Sequence, residues 1–142
     1  MRTLPLVALV ASFAAPTFAI AEGDVAAGEE QFNRQCVSCH VVRNDAGEVL
    51  AGRSAKAAPN LYGLPGMTLG SVQGFRYGDS IVKAGEAGAV WDEANFVGYV
   101  QNPTDWLREN LDDRRARGKM AYQLRETQQA YDIYAFIASF SE

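Results

Sequence analysis

Cys36-Val37-Ser38-Cys39-His40 gathers both cysteines and the only histidine of a 142-residue chain into five positions. No other feature of the sequence restricts the fold as strongly. Two thiols three apart at a helix end can reach the two vinyl groups on one edge of a haem macrocycle. The imidazole that follows then lies under the iron, for which nitrogen is a good ligand. A Cys36–Cys39 redox disulfide would call for a βαβ setting, and no strand pattern of any length is visible. A zinc site would have three candidate ligands, two of them adjacent. In an exported chain, the spacing predicts one c-type haem held covalently by Cys36 and Cys39, with His40 on the iron.

The N-terminus supplies the export. Met1-Arg2 is a short positive start, Leu4 to Ile20 is apolar but broken by Pro5 and Pro16, and Ala19-Ile20-Ala21 is a small-x-small cleavage site. Residues 1–21 read as a secretory signal peptide that is removed, leaving residues 22–142 as one domain in the periplasm. The alternative is a retained membrane anchor, against which stand two helix breakers and a run short of a ~20-residue span. No other segment is long and apolar enough to insert stably in a membrane. Removing twenty-one residues, Arg2 among them, leaves 121 residues with 12 basic and 17 acidic groups, a charge of −5. That balance argues against a nucleic-acid binder relying on an overall basic surface.

Periodicity along the mature chain predicts an all-α fold with long connections. Asp24 caps a helix over Val25 to about Val37, with Gly28 and Phe32 on one face. Asn44 to Gly78, rich in Gly, Ala and Pro, reads as loops with at most short helical turns. A short helix over Asp79 to Ala84 follows. Another spans Asp92 to Gln101, with Phe96, Val97 and Val100 on its apolar stripe. Asn102-Pro103 ends that helix and starts the next, which runs to about Asn110, Asn102 as cap and Pro103 at the first position. Leu111 to Gln123 is irregular, and Thr127 to Ser139 is the last helix. Gly28 and Phe32 are expected against Ile133 and Phe136 where first and last helices cross. Helices this sparse do not close a core alone, so something else fills the middle.

From the haem motif outward, the mature region resembles a class I cytochrome c of the bacterial cytochrome c2 and c550 group. Ala58-Pro59-Asn60-Leu61 is similar to the loop whose proline carbonyl accepts a bond from the ligating imidazole. Gly74-Phe75-Arg76-Tyr77-Gly78 matches the G-F-x-Y stretch, Trp91-Asp92-Glu93 the buried tryptophan before the middle helix, and Tyr99, Asn102 and Pro103 the Y-x-x-N-P pattern. Gly118-Lys119-Met120-Ala121-Tyr122 resembles T-K-M-x-F, which supplies the second iron ligand. The resemblance implies a small single-domain fold of a few helices and long loops wrapped around one haem. It also implies a pocket containing Pro59, Tyr77, Trp91 and Tyr99, with Tyr77 and Trp91 toward a propionate and Tyr99 toward the Met120 sulfur. Two departures stand out: Met67 occupies the position of an arginine near the propionates, and Gly118 that of a threonine.

For the sixth ligand, Met67 and Met120 compete once Met1 leaves with the signal peptide. Met67 follows closely on the Pro59 loop, the histidine side, whereas Met120 lies after the Tyr99 helix, where the chain can cross the opposite haem face. Position and resemblance both select Met120. With both axial sites filled, O₂ and peroxidase chemistry are discouraged. The expected function is single-electron transport by a monomer, not an enzyme. The resemblance implies a bc1-type donor and a terminal oxidase or photosynthetic reaction centre as acceptor. A haem enzyme of peroxidase-like or detoxifying type, with an open iron position, is the alternative. Arg114, Arg115, Arg117 and Lys119 fall in six residues without an acid and lead into Met120, a candidate basic docking face for acidic partners, to which Arg43, Arg53, Lys56 and Lys83 are expected to add.

Overall fold

The computed structural model describes residues 22–141; the expected signal peptide, residues 1–21, lies outside the described residues. Within them, five helices and one two-stranded hairpin follow in the order α1 (Val25–Gln35), β1 (Val41–Arg43), β2 (Val49–Gly52), α2 (Asp79–Glu86), α3 (Glu93–Gln101), α4 (Pro103–Leu111) and α5 (Thr127–Ala138). Caps decide where the helices start. The Asp24 carboxylate accepts from the Ala27 amide at 2.7 Å, and Asp92 from Asn95 at 2.7 Å. Asn102 closes α3 and caps α4 through the Asp105 amide, with Pro103 at the first helical position, where its missing N–H costs nothing.

Two local expectations are corrected. Helix α1 stops at Gln35 rather than Val37, because the chain tightens into turns in which Cys39 and His40 both donate to the Cys36 carbonyl, at 3.1 and 2.9 Å. The chain also has strands: β1 pairs antiparallel with β2, the register shifting between Val42 and Arg43. Three- and four-residue strands are too short to leave an alternating pattern in the sequence. The turn is fixed by Asn44, whose side chain accepts from the Glu48 amide at 2.9 Å, and by Gly47 at φ +84.

Helices α1 and α5 cross with the Phe32 and Phe136 rings 5.4 Å apart, and Phe32, Ala130, Ile133 and Ile137 are almost wholly buried. This is the expected crossing. Asp132, the one buried charged side chain there, accepts from the Asp24 amide and from Gln128, both at 2.9 Å, which ties the start of α1 to α5. Ile81 of α2, Phe96, Tyr99 and Val100 of α3 and Leu61, Leu64 and Trp91 of the connecting loops belong to the same core and also line a cavity.

Candidate functional site

The cavity measures about 360 Å³. Cys36, Cys39, His40 and Met120 all line it. Leu61, Leu64, Ile81, Phe96, Val100, Ile133 and Ile137 supply the apolar lining. Both cysteines are free thiols. Burial, and then the neighbouring Cys39, push the Cys36 thiol up to about 12, so it is neutral at ordinary pH.

His40 is oriented by the backbone around it. The segment after the hairpin docks back: the Ala58 amide donates to the Cys39 carbonyl at 3.0 Å and the Leu61 amide to the Val41 carbonyl at 2.9 Å. The Asn60 carboxamide completes the edge of β1, accepting from the Arg43 amide at 2.9 Å and donating to its carbonyl at 2.7 Å. This clamp brings the Pro59 carbonyl 2.9 Å from His40 Nδ1. A carbonyl only accepts, so Nδ1 carries the proton and Nε2 keeps a free lone pair. Burial lowers the His40 pKa, opposed by the bond to Pro59, which favours the neutral, ligating imidazole.

The two methionines part company. Met120 lines the cavity; Met67 does not. Met67 is half-buried, and its backbone serves the neighbouring wall: the Trp91 amide donates to its carbonyl at 2.8 Å and the Gly66 amide to the Trp91 carbonyl at 2.9 Å. That pairing sets Trp91, which stands edge-on to Tyr99 with centroids 5.1 Å apart. Tyr77, Trp91 and Tyr99 all line the cavity. Burial pushes the Tyr99 hydroxyl up to about 12, and repulsion from Tyr77 adds to it. Tyr77 is raised mainly by burial, opposed by the Val72 backbone.

Gly118, a departure in sequence, has a steric reason. A Cβ there would lie 2.8 Å from Pro103 Cβ and 3.1 Å from its carbonyl carbon. The hydroxyl in the neighbourhood comes instead from Thr104, which accepts from the Gly118 amide at 3.0 Å.

Of the basic run, one residue is at the cavity. Lys119 lines the cavity, donates from Nζ to the Arg76 carbonyl at 2.5 Å, and stands 5.3 Å from the Phe75 ring centroid. Arg114, Arg115 and Arg117 are exposed. Arg115 is partly answered by Asp113, 3.8 Å from its Nε. Arg43 and Lys56 line a second concavity of about 210 Å³ that shares Ala58, Pro59, Asn60, Val72 and Phe75 with the first.

Sequence reasoning passed over Asn60 as the clamp, Thr104, and the pair formed by Tyr122 and Gln35. Their signals are single polar side chains with long-range partners, which periodicity does not register. The donor set fits a macrocycle-bound iron rather than a bare ion: among the described residues, no three His, Cys, Asp or Glu side chains gather to hold a metal. No helix of the described residues is long and apolar enough to cross a membrane.

No protein-family model matches the chain. It is 56% identical over 117 residues to the cytochrome c2 of Rhodovulum adriaticum, covering 82% of this chain and 92% of that one. It is 50% identical over 140 residues to the cytochrome c-551 of Roseobacter denitrificans, covering 99% and 96%. The solved structure of cytochrome c2 from Rhodobacter sphaeroides superposes with a TM-score of 0.81 at 44% identity, covering 83% of this chain and 96% of that one.

Proposed function

The chain belongs to the family of bacterial cytochromes c2 and c-550, soluble electron carriers with one covalent haem c, and on that premise we propose that His40 and Met120 are the axial iron ligands of a monomeric periplasmic shuttle. Cys36 and Cys39 hold the haem in thioether linkage, and Pro59, Tyr77, Trp91 and Tyr99 complete its pocket. The donor is a bc1-type complex and the acceptor a terminal oxidase or a photosynthetic reaction centre. Residues 1–21 direct export and are removed.

One observation carries the ligand assignment: of the two methionines beyond Met1, Met120 lines the cavity shared with His40, and Met67 is taken up with the Trp91 wall. The haem, when bound, supplies the one-electron couple. The chain does the rest. Pro59 fixes the tautomer that leaves Nε2 to ligate, a thioether favours a higher potential than harder ligands give, and the apolar lining excludes water from the iron. The only histidine is committed, so no imidazole remains as a general base and single-electron exchange is the fitting chemistry. The exposed Arg114, Arg115 and Arg117, with Lys119 at the cavity, form the face that meets acidic partners.

The test is spectroscopic. Ferric protein should show the weak near-infrared iron–sulfur band. Met120→Leu should abolish it and Met67→Leu should leave it intact; the reverse pattern would overturn the assignment. Mass measurement of protein secreted to the periplasm should give residues 22–142 plus one haem, and a retained leader would refute the cleavage.

A further inference from the structure

Residues 119–126 form neither helix nor strand. Three bonds hold this segment between Lys119 and Leu124. Lys119 Nζ donates to the Arg76 carbonyl at 2.5 Å, the Tyr122 hydroxyl bonds Gln35 Oε1 at 2.6 Å, and the Leu124 amide donates to the Val100 carbonyl at 2.8 Å. Of the three, the Tyr122 bond joins the two cofactor-bearing segments. Gln35 is the last residue of α1 and directly precedes Cys36, while Tyr122 lies two residues beyond Met120; both line the cavity.

The bond is preorganised on the glutamine side. Gln35 Nε2 donates to Gln31 Oε1 at 2.7 Å and to Gln129 Oε1 at 2.9 Å, which spends both amide hydrogens and turns Oε1 toward Tyr122. An amide oxygen only accepts, so the tyrosine hydroxyl is the donor. The Tyr122 hydroxyl meets a fixed partner across 87 residues of chain. The pattern T-K-M-x-F has phenylalanine at this position, and Tyr122 adds a hydroxyl to it.

The geometry points to Tyr122 as a positioning residue: a latch that holds the Met120 segment shut against α1 through Gln35 and so sets how readily the sixth iron position opens to an outside ligand. The inference rests on Met120 being that ligand. An exogenous base binds only the opened form, so its apparent affinity scales with the open fraction. A neutral hydrogen bond of the usual net strength shifts that fraction by roughly threefold to tenfold.

The experiment uses ferric holoprotein and imidazole. Tyr122→Phe, which keeps the ring, should tighten apparent imidazole binding by about threefold to tenfold. Gln35→Met, which also removes the Gln31 and Gln129 bonds, should tighten it as well, and adding Tyr122→Phe to it should do nothing more, because the bond between the two side chains is already gone. Amide exchange provides a readout independent of the iron. In Tyr122→Phe, residues 119–123 should exchange faster while the α1–α5 crossing stays at the wild-type rate. Unchanged imidazole affinity, additive effects in the double variant, or exchange accelerated equally in α1 and α5 would each overturn the latch. Absence of the near-infrared band from wild-type protein would instead defeat the Met120 ligation, and the exchange measurement would still decide the latch.

Discussion

Gly28 marks the closest approach of α1 and α5. A Cβ built there falls 1.9 Å from the Asp132 carbonyl oxygen, 2.5 Å from its carbonyl carbon and 2.8 Å from Phe136 Cβ. Two of those atoms are backbone, so no change of rotamer relieves the clash. A comfortable carbon–oxygen contact is roughly 3.3 Å, and α5 must retreat by more than an ångström to reach it. Retreat parts Phe32 from Phe136 and loosens Ile133 and Ile137, which are 2% and 0% exposed. Against this, alanine in place of glycine favours the helix by up to ~1 kcal/mol. Overpacking of a tight interface costs ~1–3 kcal/mol or more, and the unpacked rings add to it. Gly28→Ala should therefore lose about 1–3 kcal/mol net, a fall in melting temperature of roughly 3–15 °C for a domain of this size. Gly28→Leu should fall further. Thermal unfolding of ferric holoprotein followed by circular dichroism measures both, with an unchanged haem spectrum as the control. A Gly28→Ala variant that melts at or above wild type would show that helix propensity outweighs contact there, and the close crossing would be refuted.

Three further outcomes are expected. Tyr99 titrates at about 12 in the fold and at ~10 in the unfolded chain, so its neutral form contributes stability fully present below pH ~10 that is lost as pH rises toward 12. Tyr99→Phe should lose less stability than wild type between pH 9 and 11, measured by denaturant unfolding. Replacing Arg114, Arg115 and Arg117 with Gln should lower the bimolecular rate of electron transfer to an oxidase or reaction centre at low salt and flatten its salt dependence, with Arg115 contributing least because Asp113 already faces it; equal rates and slopes would reduce the run to a solvated loop. Protein made without haem by changing Cys36 and Cys39 to Ala should lose most of its helical circular dichroism, since a cavity of about 360 Å³ then lies at the centre of the apolar side chains.

Features encoded by neighbours in sequence were legible. Asp24 and Asn102 cap helices within three residues of themselves, and Phe96, Val97 and Val100 sit on a 3.6-residue period, so one segment suffices to read them. The crossing at Gly28 was legible as a small residue beside Phe32 on one face. The hairpin was not, because its register is set by a pairing across a five-residue turn and by Asn60, 17 residues from Arg43. Gly118 read as a lost hydroxyl, and only the proximity of Pro103 and Thr104 shows why a side chain has no room there.

The two sides of the cavity are held by different physics, and this orders their motions. On the His40 side, Ala58 and Leu61 donate backbone bonds to Cys39 and Val41, Asn60 bonds both backbone groups of Arg43, and the Pro59 carbonyl meets His40 over a separation of 19 residues. That is a short closed loop with a shared ladder, and it opens only as a unit. On the Met120 side the chain is tied by Gly118 to Thr104, Lys119 to Arg76 and Tyr122 to Gln35, across 14, 43 and 87 residues. The first two ties each run through one side chain and the third joins two; two of the ties are at exposed residues, and one backbone bond, Leu124 to Val100, lies beyond them. Such contacts break singly and early, at the low end of the opening free energies within one fold. The side of the cavity that yields first is therefore the one lined by Met120, and the Tyr122 hydroxyl bears on that step directly.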